Sequence, residues 1–208
     1  MKLSAELKHG NKGFPRKTWA SHRKFKKNFS GKLSDVGVKQ LVAINNYFKD
    51  NKVDVIYSSP LIRGKRTAQA IATATNIKTI NFDDRLKEIH LGKMEGMPID
   101  EVGEIYPQPM LLWNTNPPLF EAVGGEKMTE VYDRMKSCVF DIISKNEGKN
   151  IAIVSHGCAI RNFMSYCLGR SIDFLSVTPW VGHGTVAEIE VENGEVISVN
   201  ILNIQEFI

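Results

Sequence analysis

Two histidine–glycine pairs, an arginine and a glutamate are the residues of this chain whose surroundings suit chemistry. His156-Gly157 follows Ile151-Ala152-Ile153-Val154, a nearly continuous apolar run rich in β-branched residues, which is how a parallel strand covered on both faces reads. An amphipathic pattern (Ala159, Ile160, Phe163, Met164, Cys167, Leu168) begins at once and ends at Gly169. His156 is therefore delivered to the C-terminal edge of a strand and to the start of a helix. Open α/β sheets bind ligands at that edge, and a helix start offers unpaired N–H groups to an anion. On these residues alone an anion-facing imidazole and a plain strand cap are equally good readings. His9-Gly10 ends a weaker, alternating stretch from Lys2 to Lys8 in the same way. Arg63 lies just beyond Ser58-Ser59-Pro60, and Glu88 lies in a polar, glycine-marked loop from Asp84 to Gly96. All four sit at strand ends or in adjoining loops, from which they can converge.

The elements that would position them alternate. A helix with Ser34 as N-cap runs to Asp50, with Val38, Leu41, Val42, Ile44, Tyr47 and Phe48 on one face. A strand at Val53–Tyr57 follows, then a helix from about Leu61 to Ala74 opened by Pro60, and a short strand between Asn76 and Phe82. Ile99 to Tyr106 suits a short helix, and Pro107 to Gly125, with Pro109, Pro117 and Pro118, reads as an inserted cap. A second long helix is expected from about Lys127 to Asn146, and Thr185–Val191 and Val196–Ile204 as a hairpin around Asn193-Gly194. Helices alternating with strands predict an α/β fold, a three-layer sandwich whose mainly parallel central sheet is flanked by helices. The expected organisation is one domain over residues 1–208 with a small insert at about 95–125.

Composition narrows the classes. The hydrophobic and charged fractions, 42% and 24%, are those of a soluble globular protein, and no apolar run is long enough to cross a bilayer. The start lacks the basic-then-apolar order of a signal peptide, so a cytoplasmic location without a membrane partner is the expectation. Cys138, Cys158 and Cys167 are odd in number and lack metal-ligand spacing, which points to free thiols and no metal. Lys12, Arg16, Lys17, Arg23, Lys24, Lys26, Lys27 and Lys32 crowd a segment without clear periodicity, interleaved with Phe14, Trp19, Phe25 and Phe29. A solvated basic loop or lid is preferred there to a nucleic-acid surface, because no nucleic-acid-binding motif accompanies it.

The ordered set Leu33-Ser34-Asp35-Val36-Gly37, Ile56-Tyr57-Ser58-Ser59-Pro60-Leu61-Ile62-Arg63 with Thr67-Ala68, Leu86-Lys87-Glu88-Ile89 with Gly92 and Glu95-Gly96, Gly124-Gly125-Glu126, and Val154-Ser155-His156-Gly157 with Arg161 resembles the histidine phosphatase, or phosphoglycerate-mutase-like, superfamily. The resemblance implies a nucleophilic histidine in an Arg-His-Gly motif after the first strand, matched here by Lys8-His9-Gly10. Lysine stands in place of the arginine, and the Gly-Glu-Thr and downstream asparagine usual in the family do not follow Gly10. Phe29-Ser30-Gly31 is faintly similar to the family's later Gln-Gly turn. His22, with Asn28 downstream, is a second and weaker candidate for the nucleophile.

On this resemblance His9, Arg63, Glu88 and His156 are the expected catalytic residues, and Lys8, Gly10, Asn11, Gly157 and Cys158 the expected contacts to substrate. Phosphoryl transfer spreads charge over equatorial oxygens, so it needs positioned cationic donors. Arg63 supplies a planar fork, His156 a further donor, and the backbone near Gly157 and Cys158 additional N–H groups. Glu88 is the implied acid for the leaving oxygen and then the base for water. His90, His183, Glu95 and Glu101 read as structural or peripheral. The implied activity is phosphomonoester hydrolysis through phosphohistidine on a small phosphorylated metabolite, without metal or cofactor, with a homodimer left open. The alternatives are a phosphate- or phosphoprotein-binding module of the same fold, and a phosphoglycerate mutase-type phosphotransferase.

Overall fold

The computed structural model describes residues 1–4, 35–181 and 184–204. The apolar run at Ile151–Val154 forms strand β4, buried along its whole length. It lies between two other parallel strands, β1 (Lys2–Ser4) and β2 (Val55–Ser58). Its side chains alternate between two cores, as a strand's period of two requires. Ile151 and Ile153 pack with helices α5 (Met128–Ser144) and α6 (Gly157–Gly169), while Ala152 and Val154 pack with α1 (Asp35–Asp50) and α2 (Ile62–Thr75). Strand β3 (Ile80–Phe82) extends the parallel set beyond β2. On the other side β5 (Thr185–Glu192) runs antiparallel to β1, and β6 (Glu195–Asn203) closes the order β3-β2-β4-β1-β5-β6. The result is the expected three-layer α/β sandwich with a mainly parallel sheet.

Local chemistry explains where the boundaries depart from the sequence pattern. The strand expected at Val53–Tyr57 begins at Val55, because Asp54 and Asn150 first bond to each other ahead of the ladder. Asn76 ends α2 in the left-handed region (φ 58°), which shortens β3. The helix after His156 runs to Gly169, but the residue with left-handed backbone is Arg170 (φ 58°). Gly169 serves a different purpose there: a Cβ on it would sit 2.1 Å from the Phe174 ring. The hairpin turn has positive φ at Asn193 and Gly194, 51° and 78°, as a two-residue type I′ turn demands. The proline-rich segment is more regular than its composition suggests. It holds α3 (Ile99–Ile105), α4 (Pro107–Thr115) and a 3₁₀ turn at Pro117–Leu119. Prolines fit because they fall in first turns, where a missing N–H leaves no helix bond unmade.

Among the described residues no helix is long and apolar enough to cross a membrane. The three cysteines are free and buried. Burial pushes the thiols of Cys138 and Cys167 up to about 12.

Because Ile153 is fully buried in the strand shared by both cores, Ile153→Ala should cost about 2–5 kcal/mol. Urea denaturation would show this as a lower midpoint, and a variant as stable as the parent would contradict the central placement of β4.

Candidate active site

The ends of β2 and β4 are level, and the backbone N–H of Ser59 donates to Val154 O at 2.9 Å. This extends the pairing one step past the strand and brings Ser59 beside His156. His156 is fully buried, with extended backbone as the N-cap residue of α6 (φ −128°, ψ 165°). Its Nε2 lies 2.6 Å from Ser59 Oγ, and its Nδ1 accepts from Arg63 Nε at 3.2 Å. A guanidinium can only donate, so Nδ1 is the unprotonated nitrogen and the ring proton sits on Nε2, facing the serine oxygen. Arg63 reaches this position from the first turn of α2. Gly64 permits the approach of α2 to the loop, since a Cβ there would stand 3.0 Å from Ser59 O. Residues predicted from separate parts of the chain are thus in direct contact.

Glu88 meets the same helix start from the opposite side. Its Oε2 accepts the N–H of Cys158 at 3.1 Å, and its Oε1 accepts those of Ala159 and Ile89, each at 3.0 Å. A carboxylate at a helix N-terminus is favoured by both the free N–H groups and the helix dipole. The Cys158 amide, expected to face substrate, is therefore occupied here by Glu88. Each carboxylate oxygen has two lone-pair sites, so Oε2 keeps one for a proton. The Cys158 side chain is buried, and burial with the nearby Glu88 charge holds its thiol well above the usual range. Gly157 lies between Glu88 and Trp180: the point a Cβ would occupy is 3.9 Å from Glu88 Oε2 and 3.9 Å from the Trp180 ring. His9, His22, Lys8, Gly10, Asn11 and His183 lie outside the described residues.

The loop that carries Glu88 is braced by residues whose role was not apparent from sequence. Arg134, in the middle of α5, donates through Nη1 to Arg85 O and Lys87 O at 2.7 and 2.8 Å. Its Nε and Nη2 pair with the two oxygens of Glu126 at 2.7 and 3.0 Å. Glu126 in turn accepts the N–H of His90 at 2.7 Å, and its own N–H donates to His90 O at 2.8 Å. The acid loop is gripped on both flanks of Glu88. From β4, Ser155 Oγ donates to Leu86 O at 2.9 Å in a buried bond. Gly92 and Gly125 allow the two loops to touch: a Cβ would lie 2.3 Å from Val123 O in the first case and 2.2 Å from His90 O in the second. The Gly-Gly-Glu sequence at 124–126 was the visible half of this brace; Arg134 looked like an ordinary charge on an amphipathic helix.

At the C-terminal edge of β2 and β4, then, a buried imidazole and a guanidinium touch, and a carboxylate sits at the helix start that follows. This can orient an oxyanion and exchange a proton with a leaving oxygen. Among the described residues no group of three or more His, Cys, Asp or Glu side chains could hold a metal ion.

The model of the histidine phosphatase superfamily (branch 1) matches residues 15–204. Phosphoserine phosphatase 1 of Hydrogenobacter thermophilus is 36% identical over 141 residues, 68% of this chain and 65% of that protein. Phosphoglycerate mutase-like protein 4 of Arabidopsis thaliana is 31% identical over 147 residues, covering 70% and 64% respectively. The chain thus spans just under two thirds of the length of these relatives. Among solved structures, YhfR of Bacillus stearothermophilus superposes with a TM-score of 0.82 at 24% identity, over 94% of this chain and 93% of that one. A mycobacterial glucosyl-3-phosphoglycerate phosphatase gives 0.78 at 18% identity, over 97% and 95%. Both likenesses are of fold.

If Arg134 braces the acid loop, Arg134→Leu should lower stability by at least about 1.5–3 kcal/mol, the worth of one hydrogen bond to a charged group. Arg134→Lys, which keeps the charge but not the fork, should recover only part of it. Native-state hydrogen exchange should speed up at the amides of His90 and Ala159 in both variants, and unchanged exchange there would remove the brace from the account.

Proposed function

Because the chain belongs to the histidine phosphatase superfamily, branch 1, we propose that it hydrolyses phosphomonoesters through a phosphohistidine, acting on a small phosphorylated metabolite. The observation that carries this reading is the contact of Arg63 with His156 beside a helix start that holds Glu88. The relatives carry both kinds of name, phosphoserine phosphatase and phosphoglycerate mutase, and the phosphatase names support the hydrolytic reading.

On this proposal the unprotonated imidazole of His9 attacks phosphorus while the bond to the leaving oxygen breaks, and Glu88 gives that oxygen its proton. Water then attacks the phosphohistidine, the P–N bond breaks, and the Glu88 carboxylate takes the proton that water releases. Arg63 and His156 bind the equatorial oxygens throughout. With substrate present, the Nε2 proton of His156 is shared between Ser59 and a phosphoryl oxygen, and the guanidinium of Arg63 turns its outer edge to the phosphate. No step calls for a metal, so turnover in the presence of a chelator is expected.

The alternative, a module that binds phosphate or a phosphoprotein without turnover, draws on one specific feature, the lysine at position 8 in place of arginine. An ammonium offsets phosphate charge but cannot match two oxygens with a rigid fork. A mutase is disfavoured by the missing arginine-rich insertion between Glu88 and His156.

Two experiments test this reading. Glu88→Gln should slow hydrolysis of alkyl phosphates by roughly 10²–10⁴-fold, the usual worth of general acid catalysis, and activated aryl phosphates far less; equal losses would remove Glu88 from the acid role. His9→Ala should abolish turnover and the acid-labile phosphoenzyme, whereas Lys8→Arg should keep or raise turnover and tighten phosphate binding. If His22→Ala abolishes activity and His9→Ala does not, the nucleophile is His22. A parent protein that binds phosphate yet forms no phosphohistidine and hydrolyses no phosphomonoester would leave the binding module.

A further inference from the structure

A cavity of about 520 Å³ lies between the proline-bounded insert and the loop after α6. Among the described residues Ile99, Met110, Trp113 and Pro117 line one side, and Arg161 and Trp180 the other. The two indoles stand with centroids 6.0 Å apart at 34°. The guanidinium of Arg161 lies 4.6 Å from the centroid of the Trp180 ring.

Arg161 is only 8% exposed. Its Nε donates to Thr178 O at 2.9 Å and its Nη2 to Leu175 O at 2.7 Å. No carboxylate among the described residues pairs with it, and Nη1 has no acceptor there. Nor is Nη1 sealed in the interior, where the buried polar atom without a partner is Asn162 Oδ1. Arg161 is among the residues that line the cavity. Burial pulls this guanidinium below its ordinary value, but an arginine stays charged at neutral pH. A buried cation without an anion is costly. A purely structural Arg161 accounts for the bonds that tie residues 175–178 to α6, but not for an unbonded edge on a residue of the cavity wall.

One wall of the cavity, Trp180, comes close to the proposed acid. Trp180 Cζ3 and Glu88 Oε2 each lie 3.9 Å from the point where a Cβ on Gly157 would stand. Glu88 serves the leaving oxygen, so the space beyond it on the Trp180 side is where the rest of the leaving group goes.

We propose that this cavity holds the leaving alcohol of the substrate and that Arg161 pairs through Nη1 with a second anionic group on it, a carboxylate or a further phosphate, while the Trp113–Trp180 pair forms an apolar wall for the carbon skeleton. The proposal rests on the phosphatase reading given above. It makes the substrate class phosphomonoesters that carry another anion.

The test compares kcat/KM for matched pairs. O-phosphoserine and O-phosphoethanolamine differ by a carboxylate; propane-1,3-diol bisphosphate and 3-hydroxypropyl phosphate differ by a phosphate. An aryl phosphate reports general turnover. The anionic member of one pair should be preferred roughly 10- to 100-fold, as for a hydrogen bond between charged groups, and the pair that shows it identifies the anion. Arg161→Lys should shrink that ratio towards one; a structural role would scale both members alike and leave the ratio intact, which would overturn the proposal. Should Arg161→Lys not fold, tryptophan emission of the parent decides: in phosphate buffer, L-serine or 3-hydroxypropyl phosphate should shift it at concentrations where ethanolamine and propanediol do not. Equal response to alcohols with and without an anionic group would overturn the assignment. Aryl phosphate turnover without preference in either pair sinks this proposal and leaves the phosphatase reading standing, whereas no turnover of any phosphomonoester sinks both.

Discussion

The carboxylate of Glu88 accepts N–H groups from two segments separated by 70 residues or so of chain, Ile89 in its own loop and Cys158 and Ala159 in α6. These bonds set the position of the helix start relative to the loop after β3. His156 is the residue immediately before that helix, so whatever fixes the helix start fixes the imidazole as well. The sheet order does the rest. Since β2 is the neighbour of β4, the residues just past β2, Ser59 and Arg63, arrive on the other side of the same ring. Exchanging the positions of β2 and β3 would move β2 one strand away from β4 and separate Arg63 from His156 without altering a single local propensity.

Support for this clamp comes from outside it and is almost entirely polar. Arg134 spends each of its three nitrogens on the loop or on Glu126, and Glu126 spends its carboxylate and its backbone on His90. Such a network restrains a loop that has little apolar surface of its own to bury, Leu86, Ile89 and Leu91 excepted. A carboxylate that must meet a leaving oxygen within hydrogen-bonding distance gains from being held before substrate arrives, because the ordering cost has already been met in folding.

Some of this was legible in the sequence. Ile151–Val154 followed by His156-Gly157 could be read because an apolar run gives way abruptly to a helical period, and the convergence of Arg63 and His156 followed from their common placement after strands. The tautomer of His156 and its serine partner could not be read, since they depend on which strands are neighbours. Arg134 was invisible for a different reason: it follows Asp133 on an amphipathic helix and reads as one more charge of its polar face, and only the close passage of the 85–90 loop gives it partners. Cys158 was read as offering its amide to substrate because a helix start attracts anions. The physics was right, but the protein supplies the anion itself. Helix α4 was missed because prolines usually mark loops, and only their exact register, at first-turn positions, makes them compatible with helix.

The arrangement also gives the proposed reaction a direction. In-line displacement places the attacking and leaving atoms on opposite sides of phosphorus. On the proposed reading Glu88 and the Trp180 wall mark the leaving side, and Arg63 with His156 marks where the equatorial oxygens are held. The nucleophile must then come from the side away from Glu88. Strand β1 runs parallel to β4, with Ser4 opposite Val154, so β1 ends at the edge where His156 stands, on the flank of β4 away from β2 and β3. Glu88 follows β3, on the other flank. The ends of β1 and β3 therefore lie on the two sides of β4, and on the proposed reading this suits an in-line attack, whereas a nucleophile delivered after β2 or β3 would compete with Glu88 for one side of the phosphorus.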